Sequence, residues 1–253
     1  MKKGIGIFLA ILLNSLVFAQ QIELNSESND VVLIANAEQY FEVFSGIQSI
    51  ESINVNTTEG IFTKLILPGY VHSKEFGKPE LPQIQKLIEI PLGANIKTDI
   101  LAYEKQTLLL SDYGIVNPLI PSQPSISKAE DAANVPFIYY PQIYQQNEFL
   151  GKEIVTVEPL GVLRGVQMAR LTIAPFKYNP VTNELMVFNN LEVQVDFGDA
   201  DYEETVIQKQ KHYSAAFNPS YLELLNYKPL AKDVITTYPV KYVIVSDLSL
   251  IHI

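Results

Sequence analysis

The chain has 253 residues, 18 Lys and Arg against 28 Asp and Glu, and no cysteine. A net charge of −10 without a basic cluster argues against nucleic acid, whose affinity comes from lysines and arginines that neutralise phosphates, and against anionic lipid. Without cysteine these residues hold no thiol nucleophile, thiolate zinc site or iron–sulfur centre, and a chain this long can bury a core without disulfides.

Residues 1–19 read as a cleaved signal peptide. Lys2 and Lys3 precede an apolar run over Ile5–Val17, and Val17-Phe18-Ala19 supplies the small-residue pattern for a cut between Ala19 and Gln20. The run is too short for a membrane span. The expected product is exported by a Sec-type route to the cell surface or medium, with no membrane attachment after cleavage. Loss of two lysines takes its charge from −10 to −12.

From Gln20 to about Gly198, short runs of β-branched and aromatic residues alternate with Pro, Gly, Asn and Ser. Predicted strands are Val31–Ala35, Phe62–Leu67, Leu87–Ile90, Ile96–Tyr103, Thr107–Leu110, Ile154–Glu158, Gly165–Ile173, Leu185–Phe188 and Leu191–Phe197. Ala37–Phe44 reads as a modest helix or, through Val43 and Phe44, equally as a strand. Many short strands without long helical patterns indicate an all-β fold, an antiparallel sandwich or a barrel. Val166–Phe197 is the most informative stretch, reading as three consecutive strands of a β-meander. Leu191, Val193, Val195 and Phe197 alternate with polar residues, the period of a strand with one buried face. Asn179–Asn183 is a turn set by Pro180, and Asn189-Asn190 reads as a second tight turn because Asn tolerates the left-handed region.

Beyond that stretch, Asp196, Asp199, Asp201, Glu203 and Glu204 lack EF-hand spacing and read as a solvated linker rather than a calcium loop. A helix is expected over Asn218–Tyr227, capped by Asn218 with Pro219 in its first turn. Lys228–Thr237 reads as an exposed connector. Pro239–Asp247 then reads as a buried parallel strand that opens an α/β domain, with Ser249–Ile253 as a truncation scar. The domain reading is 1–19 signal peptide, 20–205 β-sandwich, 206–238 linker with a short helix, and 239–253 the start of a second domain.

Chemistry-bearing patterns are sparse. His72 sits beside Ser73 in an expected loop, but the G-x-S-x-G context of a nucleophile is missing. His212 falls in the linker and His252 in the tail, so no pair has metal-ligand spacing, and no cofactor or metal site is expected. Asn56-Thr57-Thr58 is a glycosylation triplet. Gly77–Pro82 reads as a rigid connection, and Pro121–Asn134 as an exposed loop open to proteolytic nicking.

Phe76–Ile90 (FGKPELPQIQKLIEI), Val135–Glu158 and Gly161–Phe197 (with APFKYNPVTNELMVFNNLEVQV) resemble the propeptide domain of gingipain-type cysteine peptidases, peptidase family C25. His212–Tyr227 is similar to the family's passage from propeptide to enzyme, and Pro239–Asp247 to the first strand of its caspase-like α/β domain. The resemblance implies a β-sandwich prosegment that assists folding and blocks the active site of its own peptidase domain, its partner in cis. It further implies a cysteine endopeptidase as the full-length product, whose catalytic Cys and His have no counterpart in these residues. Within this reading the loop Gln145–Lys152, after Tyr139-Tyr140-Pro141, is the candidate inhibitory element, with Lys152 as the residue offered to an acidic specificity pocket. The junction carries Lys228 and Lys232 but no arginine, the two arginines Arg164 and Arg170 falling within the sandwich, and Lys232 is the candidate for the activating cut. Two other classes stay open. One is a secreted binding module with Tyr139, Tyr140 and Tyr144 as a sugar platform; the other is a free-standing peptidase inhibitor.

Overall fold

The structure is a computed structural model that describes residues 20–27, 29–126 and 135–229. The expected signal peptide through Ala19, most of the expected loop over Pro121–Asn134, Lys232, His252 and the expected strand over Pro239–Asp247 lie outside these residues.

Among the described residues twelve strands form three antiparallel sheets. The first holds β1 (Gln20–Glu23), β4 (Ser49–Thr57) and β5 (Gly60–Ile66), in the order β1-β4-β5. The second runs β6-β7-β10-β9, from Val71–His72, Pro82–Glu89, Val166–Ile173 and Val155–Leu163 respectively. The third runs β11-β12-β3-β2, from Phe176–Asn179, Glu184–Gly198, Tyr40–Ser45 and Val31–Asn36, and β8 (Asn95–Leu109) pairs with β12 along its other edge. The all-β antiparallel reading holds. The ambiguous segment Ala37–Phe44 is strand: Phe41 and Val43 are fully buried at alternate positions of β3.

Among the described residues the sandwich buries one large core, with two smaller clusters beside it around Phe62 and Tyr221. Leu191, Val193, Val195 and Phe197 of β12 point inward as their alternation requires, and the Phe41 and Phe197 rings lie 5.8 Å apart between centroids. Full burial of such side chains stabilises by roughly 1.5–3 kcal/mol each.

The strand breaks differ from the predicted ones in an instructive way. Leu185–Phe188 and Leu191–Phe197 are one 15-residue strand, and so are Ile96–Tyr103 and Thr107–Leu110. Asn190 does adopt a positive φ of 49°, but as part of a bulge where the β8–β12 register shifts. The bulge sits at a seam: β11 pairs with β12 at Glu184–Val187, and β3 pairs with the same edge at Leu191–Asp196. Between them the 2 % exposed Asn189 accepts from Ile47 N (2.7 Å) and donates to Ile47 O (3.0 Å). A side-chain amide thus takes the place of a strand's peptide group and satisfies two buried backbone groups. The meander reading is also corrected, because β10 and β11 belong to different sheets and the chain crosses between them at Ala174-Pro175.

The acidic run is not a linker but is divided: Asp196 lies within β12, and Asp201, Glu203 and Glu204 form the cap and first turn of α2 (Tyr202–His212). This helix follows the short α1 (Pro141–Tyr144) and precedes α3 (Asn218–Leu222). Asp201 caps α2 by accepting from Glu204 N (2.9 Å), Glu203 and Glu204 lie in the first turn, and Lys209, Lys211 and His212 in the last. Each charge lies at the helix end whose dipole favours it. α2 therefore runs through residue 205, where the sequence reading divides sandwich from linker. It packs on the β9–β10 turn, where a Cβ at Gly165 would run into the Gln208 carbonyl. α3 is shorter than predicted, and Asn218 does not cap it; its Oδ1 accepts from the Tyr213 hydroxyl instead.

Candidate functional site

The predicted inhibitory loop is built between two fixed ends. Upstream, Tyr139 and Tyr144 turn inward onto Phe62, at ring-centroid distances of 5.4 and 6.3 Å, and the Tyr144 hydroxyl donates to Leu119 O (2.8 Å). Burial pushes the Tyr144 hydroxyl far above the usual phenol range. The sugar-platform reading loses two of its three rings here, since only Tyr140 is exposed. Tyr140 lies over Gly77, where a Cβ would sit 2.5 Å from its ring; Gly77, at φ 79°, is thus required twice over.

Downstream, Leu150 exchanges two backbone hydrogen bonds with Tyr178 of β11, at 2.9 and 2.8 Å, and Asn147 accepts from Asn179 (2.9 Å). Ala174 N donates to Ile154 O (2.8 Å) and closes the segment. The loop over residues 145–152 therefore lies pinned along the β11 edge. Gln145, Asn147, Glu148 and Gly151 are exposed, while Lys152 is half-buried. Lys152 lines two adjoining clefts, one of about 240 Å³ against Pro79, Pro82 and Glu148, the other against His72, Lys74 and Arg170. Among the described residues Lys152 makes no ion pair. Its ammonium therefore stands at a groove, although less exposed than a protruding specificity residue.

The rest of this face is structural. His72 is not in a loop: it belongs to β6, and its Nε2 bonds Leu65 O (3.0 Å). Ser73 Oγ accepts from Leu81 N (3.1 Å), so the His72–Ser73 pair carries no nucleophile geometry. Glu80 pairs with Lys64 at 2.9 Å, and Gly77–Pro82 is locked by the Pro79–Pro121 bridge. The Gln123 side chain bonds both Ile138 O (2.7 Å) and Ile138 N (2.9 Å). Arg164 is exposed on the β9–β10 turn with its guanidinium over Phe217, and Arg170 pairs with Glu158 at 3.1 Å. Among the described residues no cluster of His, Cys, Asp or Glu is suited to a metal. No helix there is long and apolar enough to cross a membrane.

Sequence reasoning missed the second polar centre of the molecule. Residues 213–229 fold back onto β7 as a clasp. Leu225 N donates to Leu87 O (2.8 Å), and Asn226 bonds both Glu89 N (2.7 Å) and Glu89 O (2.8 Å). Lys209, only 6 % exposed, reaches Glu89 at 2.6 Å and the Lys228 carbonyl at 3.0 Å, with the Tyr227 ring 4.7 Å away. Lys228 itself donates through Nζ to Ala37 O. The Asp201-x-x-Glu204 spacing was the available signal for α2.

The comparisons agree with this architecture. The family described as Propeptide_C25 matches residues 20–235. Lys-gingipain of Porphyromonas gingivalis is 35% identical over 240 residues, covering 94% of this chain and 14% of that protein, so the chain spans a small part of the length of this relative. Gingipain R1 of the same organism is 27% identical over 234 residues, covering 90% of this chain and 13% of that protein. A solved structure of gingipain K, reported for its zymogenic latency, superposes with a TM-score of 0.68 at 36% identity, covering 72% of this chain and 100% of that one. The complex of RgpB pro- and mature domains gives a TM-score of 0.63 at 22% identity, covering 80% and 100%, and supports the fold alone. The chain belongs to the C25 propeptide family, the propeptides of the gingipain-type cysteine peptidases.

Proposed function

We propose that the chain is the latency prosegment of a gingipain-type cysteine endopeptidase, exported behind its leader and holding its own peptidase domain inactive in cis. The observation that carries the reading is the gingipain K superposition, which spans the whole of that chain at 36% identity. A rigid sandwich that presents an already ordered loop loses little entropy on docking, which favours tight blockade of a cleft. The loop over residues 145–152 has that character, with Leu150 bonded twice to Tyr178.

Within this reading Lys152 is the residue offered to an acidic specificity pocket, and the activating cut falls after Lys232. Lys228 is a poor alternative for that cut. Its amide faces Glu89 at 3.4 Å, its carbonyl accepts from Lys209, and Pro229 follows it.

The test is inhibition of mature lys-gingipain by the full chain. Inhibition near nanomolar concentrations, typical of an interface of standard size, is the expected result. No inhibition at micromolar chain rejects the reading. Lys152→Ala inhibiting as well as wild type removes Lys152 alone.

A further inference from the structure

We infer that the apolar cleft beside α2 is a docking seat for the peptidase domain, filled by an apolar side chain of that domain. The inference rests on the latency reading above and adds to it where the two domains meet.

The first observation is an inversion in α2. Val206 and Ile207 are its only aliphatic residues, yet they are 47% and 45% exposed, while Lys209 is 6% exposed. A helix that docks only for its own stability does the reverse, burying aliphatic residues and solvating lysines. The cause lies in the clasp. Lys209 must face Glu89 to neutralise a carboxylate that lies under residues 226–228; at about 100° per residue this turns Ile207 to the far side of the helix, whereas Val206, one turn before Lys209, stays beside the cleft that both residues line.

The second observation is what Val206 faces. It forms one wall of a cleft of about 290 Å³, with Pro91, Phe197, Tyr202 and Pro229 as the other apolar surfaces. The cleft is preformed, since the Tyr202 hydroxyl donates to Phe197 O (2.9 Å) and Asp201 N to Leu92 O (2.8 Å), which fixes the start of α2 against the end of β12. A rigid apolar pocket of this kind is what an anchoring side chain fills at the centre of an interface.

The third observation selects the occupant. Pro229, the last described residue, is itself part of the cleft wall. Whatever the polypeptide carries beyond it is therefore tethered at the rim. A short tether presents a following domain at an effective concentration of about millimolar, so even a modest apolar contact there is populated. The domain expected to open at Pro239 follows Pro229 after nine residues, 230–238, and so meets the Val206 face before any untethered partner does.

The experiment compares wild-type full chain with Val206→Glu and Val206→Thr as inhibitors of mature lys-gingipain, with Leu160→Glu on β9, an equally exposed apolar site, as the control. Sedimentation of each protein is measured alongside. Val206 is half exposed, so the variants keep the fold, and an unchanged melting temperature verifies this. The expected result is an inhibition constant raised about tenfold or more by Val206→Glu and less by Val206→Thr, with Leu160→Glu unchanged. Equal inhibition by wild type and Val206→Glu overturns the seat and leaves the latency reading standing. No inhibition by wild type removes both. A wild-type dimer that Val206→Glu converts to monomer makes a second copy the occupant, and overturns the inference.

Discussion

Two asparagines solve the same problem in two regions of this molecule. Asn189 pairs its amide with the backbone of Ile47 inside the main core; Asn226 pairs its amide with the backbone of Glu89 where the clasp meets β7. Their burial is similar, 2 % and 5 % exposed. The surroundings differ. Asn189 bridges a seam between β11 and β3 with apolar side chains packed around it, so no part of the sandwich can open there without exposing the core. Asn226 holds a segment whose other ties are single hydrogen bonds (among them Leu225 N to Leu87 O, the Asn36 amide to Asn226 O, Lys209 to Lys228 O and Lys228 to Ala37 O) and a small cluster in which Tyr221 and Leu224 pack on Val166 beside Tyr213 and Tyr227. The seam is therefore a condition of the fold. The clasp is a unit able to unfold locally at lower free energy.

The comparison breaks most directly at Asn189. Asn189→Leu leaves the Ile47 N–H and C=O buried and unpaired, at about 1–3 kcal/mol each, so global stability in urea should fall by about 2–6 kcal/mol. A loss below about 1 kcal/mol would mean that the seam relaxes and is no different from the clasp.

Glu89→Ala comes next. It leaves the Lys209 ammonium buried without its partner, which costs about 3–5 kcal/mol where a buried pair is broken. Part of that is recovered because the clasp can open to solvent. Amides of residues 213–229 should exchange faster by tenfold or more, while β12 amides keep their protection. Equal acceleration in β12 would show that clasp and sandwich are one cooperative unit.

Asn226→Ala removes two hydrogen bonds at the same place without stranding a charge, and should cost about 1–2 kcal/mol of clasp stability in the same exchange experiment.

An ion pair outside both regions sets the lower end of the scale. The Asp30 carboxyl is held below its ordinary value chiefly by the hydrogen bond from Lys86 (2.9 Å), which outweighs the opposing effect of burial and is helped by the Val31 amide. A depressed folded-state value means that the contribution is complete above the ordinary carboxyl range and is lost as the pH falls below about 3.8. The pair is exposed, so Asp30→Asn should change stability at pH 7 by a few tenths of a kcal/mol and slightly flatten the acid limb. A larger effect would show that the tie between the β7 and β2 edges matters as much as either buried asparagine.

The sequence by itself determined the all-β class and the buried faces of its clearest strands, though not β1, β4 or β6, which it did not mark. Leu191, Val193, Val195 and Phe197 alternate with polar residues, and a period of two on a half-buried surface has one solution. The turn over Asn179–Asn183 was legible for a similarly local reason, as Asn183 sits at φ 54°. Only the tertiary structure decided what the other asparagines do. A residue that tolerates positive φ fits a hairpin and a bulge alike, and which one forms at Asn190 depends on Ile47, 142 residues from Asn189 in sequence. The same holds for α2. Its one buried charged residue, Lys209, looks solvent-facing until Glu89, 120 residues away, is brought beneath it. The placement of Lys152 at a groove likewise came from the β11 edge to which its loop is bonded. Local patterns report the backbone period and the buried face, whereas a buried polar side chain is specified by a partner that is near only after folding.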